Sequence, residues 1–250
     1  MKRTISMKSD PKFSIITVSY NAKDDLEKTI KSVSDQSFKN YEYIIIDGNS
    51  TDGTKVVLKK YDREINYWIS ERDEGIYNAM NKGAKVAKGE YLYFLNAGDT
   101  FHNKNVLKDV AEAIDNEDLL YGKIRVVNKE NEKSYIRERT LTKFNLKLGN
   151  KVSQQAVFIK KSVFEKVDGL NEKYRIASDF DLLCKVFEGN YLIKKIDLTI
   201  CDYDGGGISS DLKKSYWDTG RIIKDRYGIF TSYFYKLLAS AKLFLSIFYN

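Results

Sequence analysis

The chain has 250 residues, 42% of them hydrophobic and 31% charged, with a formal net charge of +7. That apolar content builds a sizeable core and excludes a disordered chain, and the length sets one domain, or one domain with an appendage. A single histidine, His102, and two cysteines, Cys184 and Cys201, outside any CxxC pattern, exclude a histidine-rich zinc site, a histidine-based triad and a disulfide framework.

Both cysteines sit in apolar stretches and are expected to be reduced core residues, as in a cytoplasmic protein. The first twelve residues are basic but carry no apolar run, so no signal peptide is expected. The positive charge suits nucleic acid, an anionic membrane or a phosphorylated substrate. No basic stripe interleaves with base-stacking aromatics, so nucleic acid is not expected.

In chain order, residues 13–20 (FSIITVSY) predict a buried parallel strand, being short, apolar and β-branched. Residues 24–36 predict a helix on Leu26, Ile30 and Val33. Residues 41–47 (YEYIIID) predict a second strand, and a helix capped by Ser50 or Thr51 runs on to about Tyr61. A strand over 65–70, a helix over 75–87 and a strand over 91–95 follow. Strand and helix alternating at this spacing make right-handed crossovers and a mostly parallel sheet.

Residues 106–114 predict a helix, and 119–127, 133–139 and 157–159 predict strands of a mixed sheet. Helices over 162–167 and 179–188 and a strand over 191–198 complete this part, and Gly205–Ser210 predicts a flexible loop that folds over a bound ligand as a lid. Residues 12–211 read as one domain and 212–250 as a basic-aromatic helical tail. Residues 229–249 are long enough to span a bilayer, but Lys236 and Lys242 lie inside, each costing about 2.5–3.5 kcal/mol at the centre of a span. The expected placement is interfacial, on an anionic membrane surface; the alternatives are a helix docked on the core of the same chain or a homodimer contact.

Polar residues gather at strand ends, where open α/β sheets place ligands. Asp99 closes the strand-end turn Asn96-Ala97-Gly98-Asp99 and either anchors a divalent cation or caps the following helix. Asp47 either accepts from a base N–H or a ribose hydroxyl, or caps a turn. Thr17, Ser19 and Asn21 line the end of the first strand. Asp73 lies in a charge run ahead of a helix N-terminus, a place that favours phosphate. Asp179 and Asp181 open a helix, as caps or with one of them as a general base.

The segments FSIITVSYN, YIIIDGNSTDGT, SERDEGIYNAMNKGAKVAKGEYLYFLNAGD and IASDFDLL, in that order, resemble the family-two glycosyltransferases of the GT-A fold, of the bacterial polysaccharide-assembly type. The likeness covers about Phe13 to Glu188. It implies a Rossmann-like, mostly parallel mixed sheet flanked by helices, with the C-terminal tail outside the family pattern. It implies a nucleoside-diphosphate sugar donor, often UDP-linked, with Thr17, Ser19, Tyr20, Asn21 and Asp47 around the nucleoside and Asp73, Asn81 and Asn96 near the ribose, diphosphate or sugar. It also implies Mn2+ or Mg2+ on Asp99, and Asp179 as the base of an inverting transfer to a glycan or a lipid-diphosphate-linked acceptor, at the inner face of the cell membrane.

Two motifs depart from the family pattern, and the Ser153-Gln154-Gln155 segment resembles its acceptor-side motif without the histidine that motif often carries. Asn96 and Gly98 stand where acidic residues are usual, and Ser178 replaces the glutamate that usually precedes the base. The thinner metal motif motivates a competing expectation, a non-catalytic nucleotide-sugar-binding module that partners another transferase. A nucleotidyltransferase would need a glycine-rich basic loop after the first strand, and Ser19-Tyr20-Asn21-Ala22-Lys23 is none.

Overall fold

The computed structural model describes residues 2–4, 10–128, 133–204 and 212–248. Four strands, β2 (Phe13–Ser19), β3 (Tyr41–Asp47), β4 (Tyr67–Ser70) and β5 (Tyr91–Phe94), pair in parallel, with β2 central. Every residue of β2 is buried, as its unbroken apolar run demands of a strand covered on both faces. Alternation then splits the core in two. Ile16, Val18, Ile44 and Ile46 face one side, and Phe13, Ile15, Tyr43 and Ile45 face the other.

The short strand β1 (Lys2–Thr4) adds antiparallel to β4. On the other flank, β9 (Val157–Lys160) adds antiparallel to β5, then β7 (Leu119–Val127), β10 (Ile193–Asp204) and the two-residue β6 (Thr100–Phe101) follow. Strand β8 (Ser134–Arg137) continues along β7 beyond β9. The result is one mixed sheet. Helices α1 (Lys23–Ser34), α2 (Thr54–Lys60), α3 (Ile76–Val86) and α4 (Val106–Ala113) belong to its first half. Helices α5 (Lys143–Lys147), α6 (Lys161–Lys166) and α7 (Ser178–Glu188) belong to its second half, and α8 (Leu212–Tyr227) and α9 (Ile229–Phe248) form a terminal hairpin.

Local departures from expectation have visible causes. The β4 strand starts at Tyr67, two residues later than expected, and the Asn66 side chain just ahead of it accepts from Tyr43 N at 2.8 Å. Helix α2 is not capped by Ser50 or Thr51. Gly53 is its N-cap residue, and the Asp52 carboxylate accepts from Thr54 N at 3.0 Å. Helix α5 went unforeseen because its capping box pairs Thr142 with Asn145 rather than with Glu or Gln. Strand β10 runs six residues past its expected end, its register slipping between Lys195 and Cys201. The Gly205–Ser210 loop lies outside the described residues.

Both cysteines are free and buried, as expected. Gly89 marks where α3 hands over to β5. A Cβ there would lie 2.5 Å from Ser14 N and 2.6 Å from Phe13 C, backbone atoms that cannot yield cheaply. The Gly89 N–H also donates to Ser14 Oγ at 2.8 Å, beside the buried Glu42 carboxylate. Gly89→Ala is therefore expected to destabilise by about 1–3 kcal/mol, the usual cost of overpacking, read as a shift in the urea midpoint with an unchanged slope.

The tail is not detached from the domain. Ile222, Ile223, Tyr235 and Ala239 join the core shared with α3 and α7, and Tyr235 stacks on Tyr216 with centroids 5.1 Å apart. Docking on the core of the same chain thus holds for one face of the hairpin.

Candidate active site

The polar ends of β2, β3 and β4 meet at one edge. Asp47 is fully buried there. Its Oδ1 accepts from Ser19 Oγ at 3.2 Å and Ser50 Oγ at 2.5 Å, and its Oδ2 from Ser50 N at 3.0 Å and Ser70 Oγ at 2.5 Å. Ser50 Oγ in turn accepts from Asn21 N at 2.8 Å, and Asn21 Oδ1 accepts from Thr51 N at 2.9 Å. These bonds tie the loops after β2 and β3 together. Asn21 sits at φ 48°, a left-handed conformation that asparagine tolerates.

That network places two of the expected site residues inside the protein. Asp47 has no exposed surface and four donors already, and it organises the strand ends. Thr17 is likewise fully buried, its hydroxyl 3.1 Å from Tyr43 Oη, and faces the core. Ser19 spends its hydroxyl on Asp47. What stays open at this edge is Tyr20, 69% exposed, and Asp73. Asp73 Oδ2 lies 2.8 Å from where a Cβ on Gly48 would be, and its Oδ1 accepts from Gly75 N at 3.0 Å. The absent side chain at residue 48 leaves the space that the Asp73 carboxylate fills, next to the Tyr20 ring.

The β5 end carries the second group. Asp99 is buried; its Oδ2 accepts from Gln155 Nε2 at 2.7 Å and its Oδ1 from Asp204 N at 3.0 Å. Gly98, at φ 100°, lets the turn reverse in a conformation that a side chain resists. A Cβ on it would lie 3.7 Å from Asp204 Oδ2 and 3.6 Å from Asp25 Cβ. Asn96 Oδ1 is buried without a hydrogen-bond partner. No group of three or more metal-binding side chains assembles among the described residues. A hard cation held on a nucleotide needs only one or two protein carboxylates, because phosphate oxygens and water complete its shell. Asp99, the orphaned Asn96 oxygen and Asp204 fit that requirement.

The third group sits on α7. Asp179 is half-buried, and the Tyr77 phenol donates to its Oδ1 at 3.3 Å and to Ile176 O at 2.6 Å. Burial, then the Asp179 charge, holds that phenol well above its ordinary pKa, so it stays a donor. Ser178, in place of the usual acid, is fully buried and its hydroxyl has no partner, so α7 opens with one carboxylate on this side. Asp181 points elsewhere, into a buried pair with Arg226.

The second and third groups are linked by three side-chain hydrogen bonds and the backbone that connects their residues. Gln155 holds Asp99; its neighbour Gln154 reaches Met80 Sδ at 3.3 Å; Tyr77, one turn before Met80 on α3, holds Asp179. Asn81 takes no part in this path. Its amide donates to Leu170 O and Glu172 Oε1, both at 2.8 Å, and its Oδ1 accepts from Leu170 N at 3.1 Å, clamping α3 to the loop after α6. Tyr77, Gln155 and Asp204 were missed as site residues, because the fold alone brings them from 56 to 105 positions along the chain to their carboxylates. The only advance signal was the Ser153-Gln154-Gln155 segment, similar to an acceptor-side motif of the family.

Comparison with known proteins agrees with this architecture. An uncharacterized glycosyltransferase of Mycobacterium tuberculosis (strain ATCC 25618 / H37Rv) is 32% identical over 217 residues, covering 84% of this chain and 81% of the relative. A PGL/p-HBAD biosynthesis glycosyltransferase of Mycobacterium bovis (strain BCG / Pasteur 1173P2) is 28% identical over 212 residues, covering 81% and 80%. Among solved structures, S. aureus TarS 1-349 in complex with UDP-GlcNAc superposes with a TM-score of 0.68 at 23% identity, over 84% of this chain and 65% of that one, and so shares the fold. The family described as "Glycosyl transferase family 2" matches residues 14–166. With that match spanning more than half its length, the chain belongs to glycosyl transferase family 2 and is a glycosyltransferase with a GT-A fold.

Proposed function

We propose that the protein transfers a sugar, with inversion, from a nucleoside-diphosphate donor of the UDP type to a hydroxyl of a glycan or lipid-linked acceptor in bacterial surface polysaccharide synthesis. The observation that carries this reading is the contact path from Asp99 through Gln155, Gln154, Met80 and Tyr77 to Asp179, which supports one cleft with a donor-side and an acceptor-side carboxylate. The similar fold of S. aureus TarS 1-349 in complex with UDP-GlcNAc supports a uridine donor.

In this reading Tyr20 offers its exposed ring to the base, and Asp73 offers its Oδ2 to a donor N–H or hydroxyl. Asn96, Asp99 and Asp204 hold the divalent cation, Mn2+ or Mg2+. When bound, the cation offsets charge on the departing diphosphate, so no general acid is required. Gln155 and the Asp204 amide fix the Asp99 carboxylate so that it does not reorganise when the donor arrives. On the opposite side Asp179 takes the proton of the acceptor hydroxyl. The acceptor oxygen bonds to the anomeric carbon as the bond from that carbon to the diphosphate oxygen breaks, and the nucleoside diphosphate leaves. Tyr77 holds Asp179 in place and keeps its own proton. Residues 12–211 carry the chemistry, and 212–250 hold the enzyme at the cytoplasmic face of the membrane.

A thermal-shift panel of nucleotide sugars with and without Mn2+ tests the donor side. A ligand that binds only the folded state at a hundred times its Kd stabilises by about 2.7 kcal/mol. For a chain of this length that is a rise in Tm of roughly 5–10 °C. The expected result is such a rise with a UDP-sugar, larger with Mn2+. A panel in which no nucleotide sugar moves Tm overturns the reading.

A further inference from the structure

The α8–α9 hairpin has two unlike faces. One sends Ile222, Ile223, Tyr235 and Ala239 into the core. The other leaves Phe230 89%, Tyr233 77%, Phe234 52% and Leu237 67% exposed. Their spacing of i, i+3, i+4 and i+7 sets them in one ridge along α9. Trp217, on α8, is exposed as well, and Lys236 Nζ sits 5.2 Å from the centre of its ring. Soluble surfaces scatter large apolar side chains singly; a ridge of them marks a surface that something covers.

Resting on the transferase reading above, we propose that this ridge docks on an anionic lipid surface, with α8 thereby holding the loop that leads into Asp179 toward an acceptor borne by the same bilayer. Charge selects the occupant. Residues 212–250 contain seven Lys and Arg against two Asp, so five of the seven net positive charges of the chain lie in about a sixth of its length. Lys214, Arg221 and Lys224 are exposed on α8. A second copy of the hairpin would set like charges face to face. Anionic headgroups neutralise them, while the ridge enters the acyl boundary and an interfacial Trp lies beside a Lys. The helix lies on the bilayer rather than across it, since no helix among the described residues is long and apolar enough to span one.

The link to the site is direct. The Asp218 carboxylate, on α8, accepts from Ile176 N at 2.9 Å, three residues before Asp179, and Asp225 binds Lys173 Nζ at 3.0 Å and Tyr174 Oη at 3.0 Å. Wherever the hairpin seats, the loop of residues 173–177, which leads into Asp179 on α7, goes with it.

Co-sedimentation of the full chain with phosphatidylcholine vesicles, with and without added phosphatidylglycerol, tests this. The wild type is expected to partition onto the anionic vesicles at least about tenfold better than onto neutral ones, and to be released by salt. Phe230→Ser with Leu237→Ser removes two exposed side chains; the double variant is expected to lose about tenfold or more of this binding with Tm unchanged. Wild-type binding that ignores phosphatidylglycerol, equal binding by the variant, or a wild-type dimer that the variant dissolves without any vesicle binding overturns the proposal. The UDP-sugar thermal shift, run on both proteins, separates the two readings. Vesicle binding without a donor shift overturns the transferase reading and leaves the docking face standing.

Discussion

Asp179→Asn is expected to lower the transfer rate by about 100- to 10,000-fold, the usual worth of a positioned general base. The substitution is nearly isosteric. Asparagine still accepts from Tyr77 Oη through its carbonyl oxygen, so the start of α7 keeps its geometry and the donor shift in Tm is retained. What disappears is the capacity to take the acceptor proton. Because that capacity acts only in the transition state, kcat and kcat/KM should fall together. Turnover close to wild type in a folded Asp179→Asn enzyme would remove Asp179 from the chemistry. The same outcome would empty the side-chain path from Asp99 of its mechanistic meaning. The expectation is sharpened by Ser178, whose buried, unpartnered hydroxyl leaves no neighbouring acid to substitute for the lost base.

Much of this fold was legible because strands covered on both faces write themselves as continuous apolar runs. The bounds of β3 and β7 fall where the sequence puts them, and β2 differs by one residue. The site was legible at the level of which loops contribute, and less so at the level of which atoms remain free. Asp47, Thr17 and Asn81 are polar residues in the expected places, yet each spends its hydrogen bonds inside the protein. A sequence shows that a carboxylate is present but not how many donors have already reached it. Gln155 and Asp204 were missed for the converse reason. One is an amide on a 3-10 turn, the other the last residue of a strand whose register slip no periodicity predicts, and both matter only because the sheet brings them to Asp99. The tail was read as either membrane-facing or packed on the core. A helix that buries one face and exposes aromatics on the other produces an apolar sequence in which those two alternatives look the same.

The largest expected loss of stability lies where the tail meets α7. Arg226 Nε donates to Asp181 Oδ1 at 2.7 Å and its Nη1 to Glu188 Oε2 at 2.8 Å. Asp181 is 2% exposed, and its other oxygen has only the Lys185 ammonium, 3.6 Å away and beyond hydrogen-bonding distance. Removing one partner of a buried ion pair leaves a desolvated charge behind and typically costs about 3–5 kcal/mol. Arg226→Ala is expected near the lower end, because Lys185 remains and the polar cavity beside it, lined by Lys173, Glu188 and Asp225, admits water. About 3 kcal/mol corresponds to a fall in Tm of roughly 6–12 °C in a chain of this size. The double variant Arg226→Met, Asp181→Asn separates charge from packing. With no buried carboxylate left to orphan, and Glu188 exposed to water, it should recover most of the loss. If Arg226→Ala unfolds within about a degree of wild type, the hairpin is not anchored to α7 through this pair. The route by which a membrane-seated tail would position Asp179 then narrows to the Asp218–Ile176 bond and the Asp225 contacts with Lys173 and Tyr174.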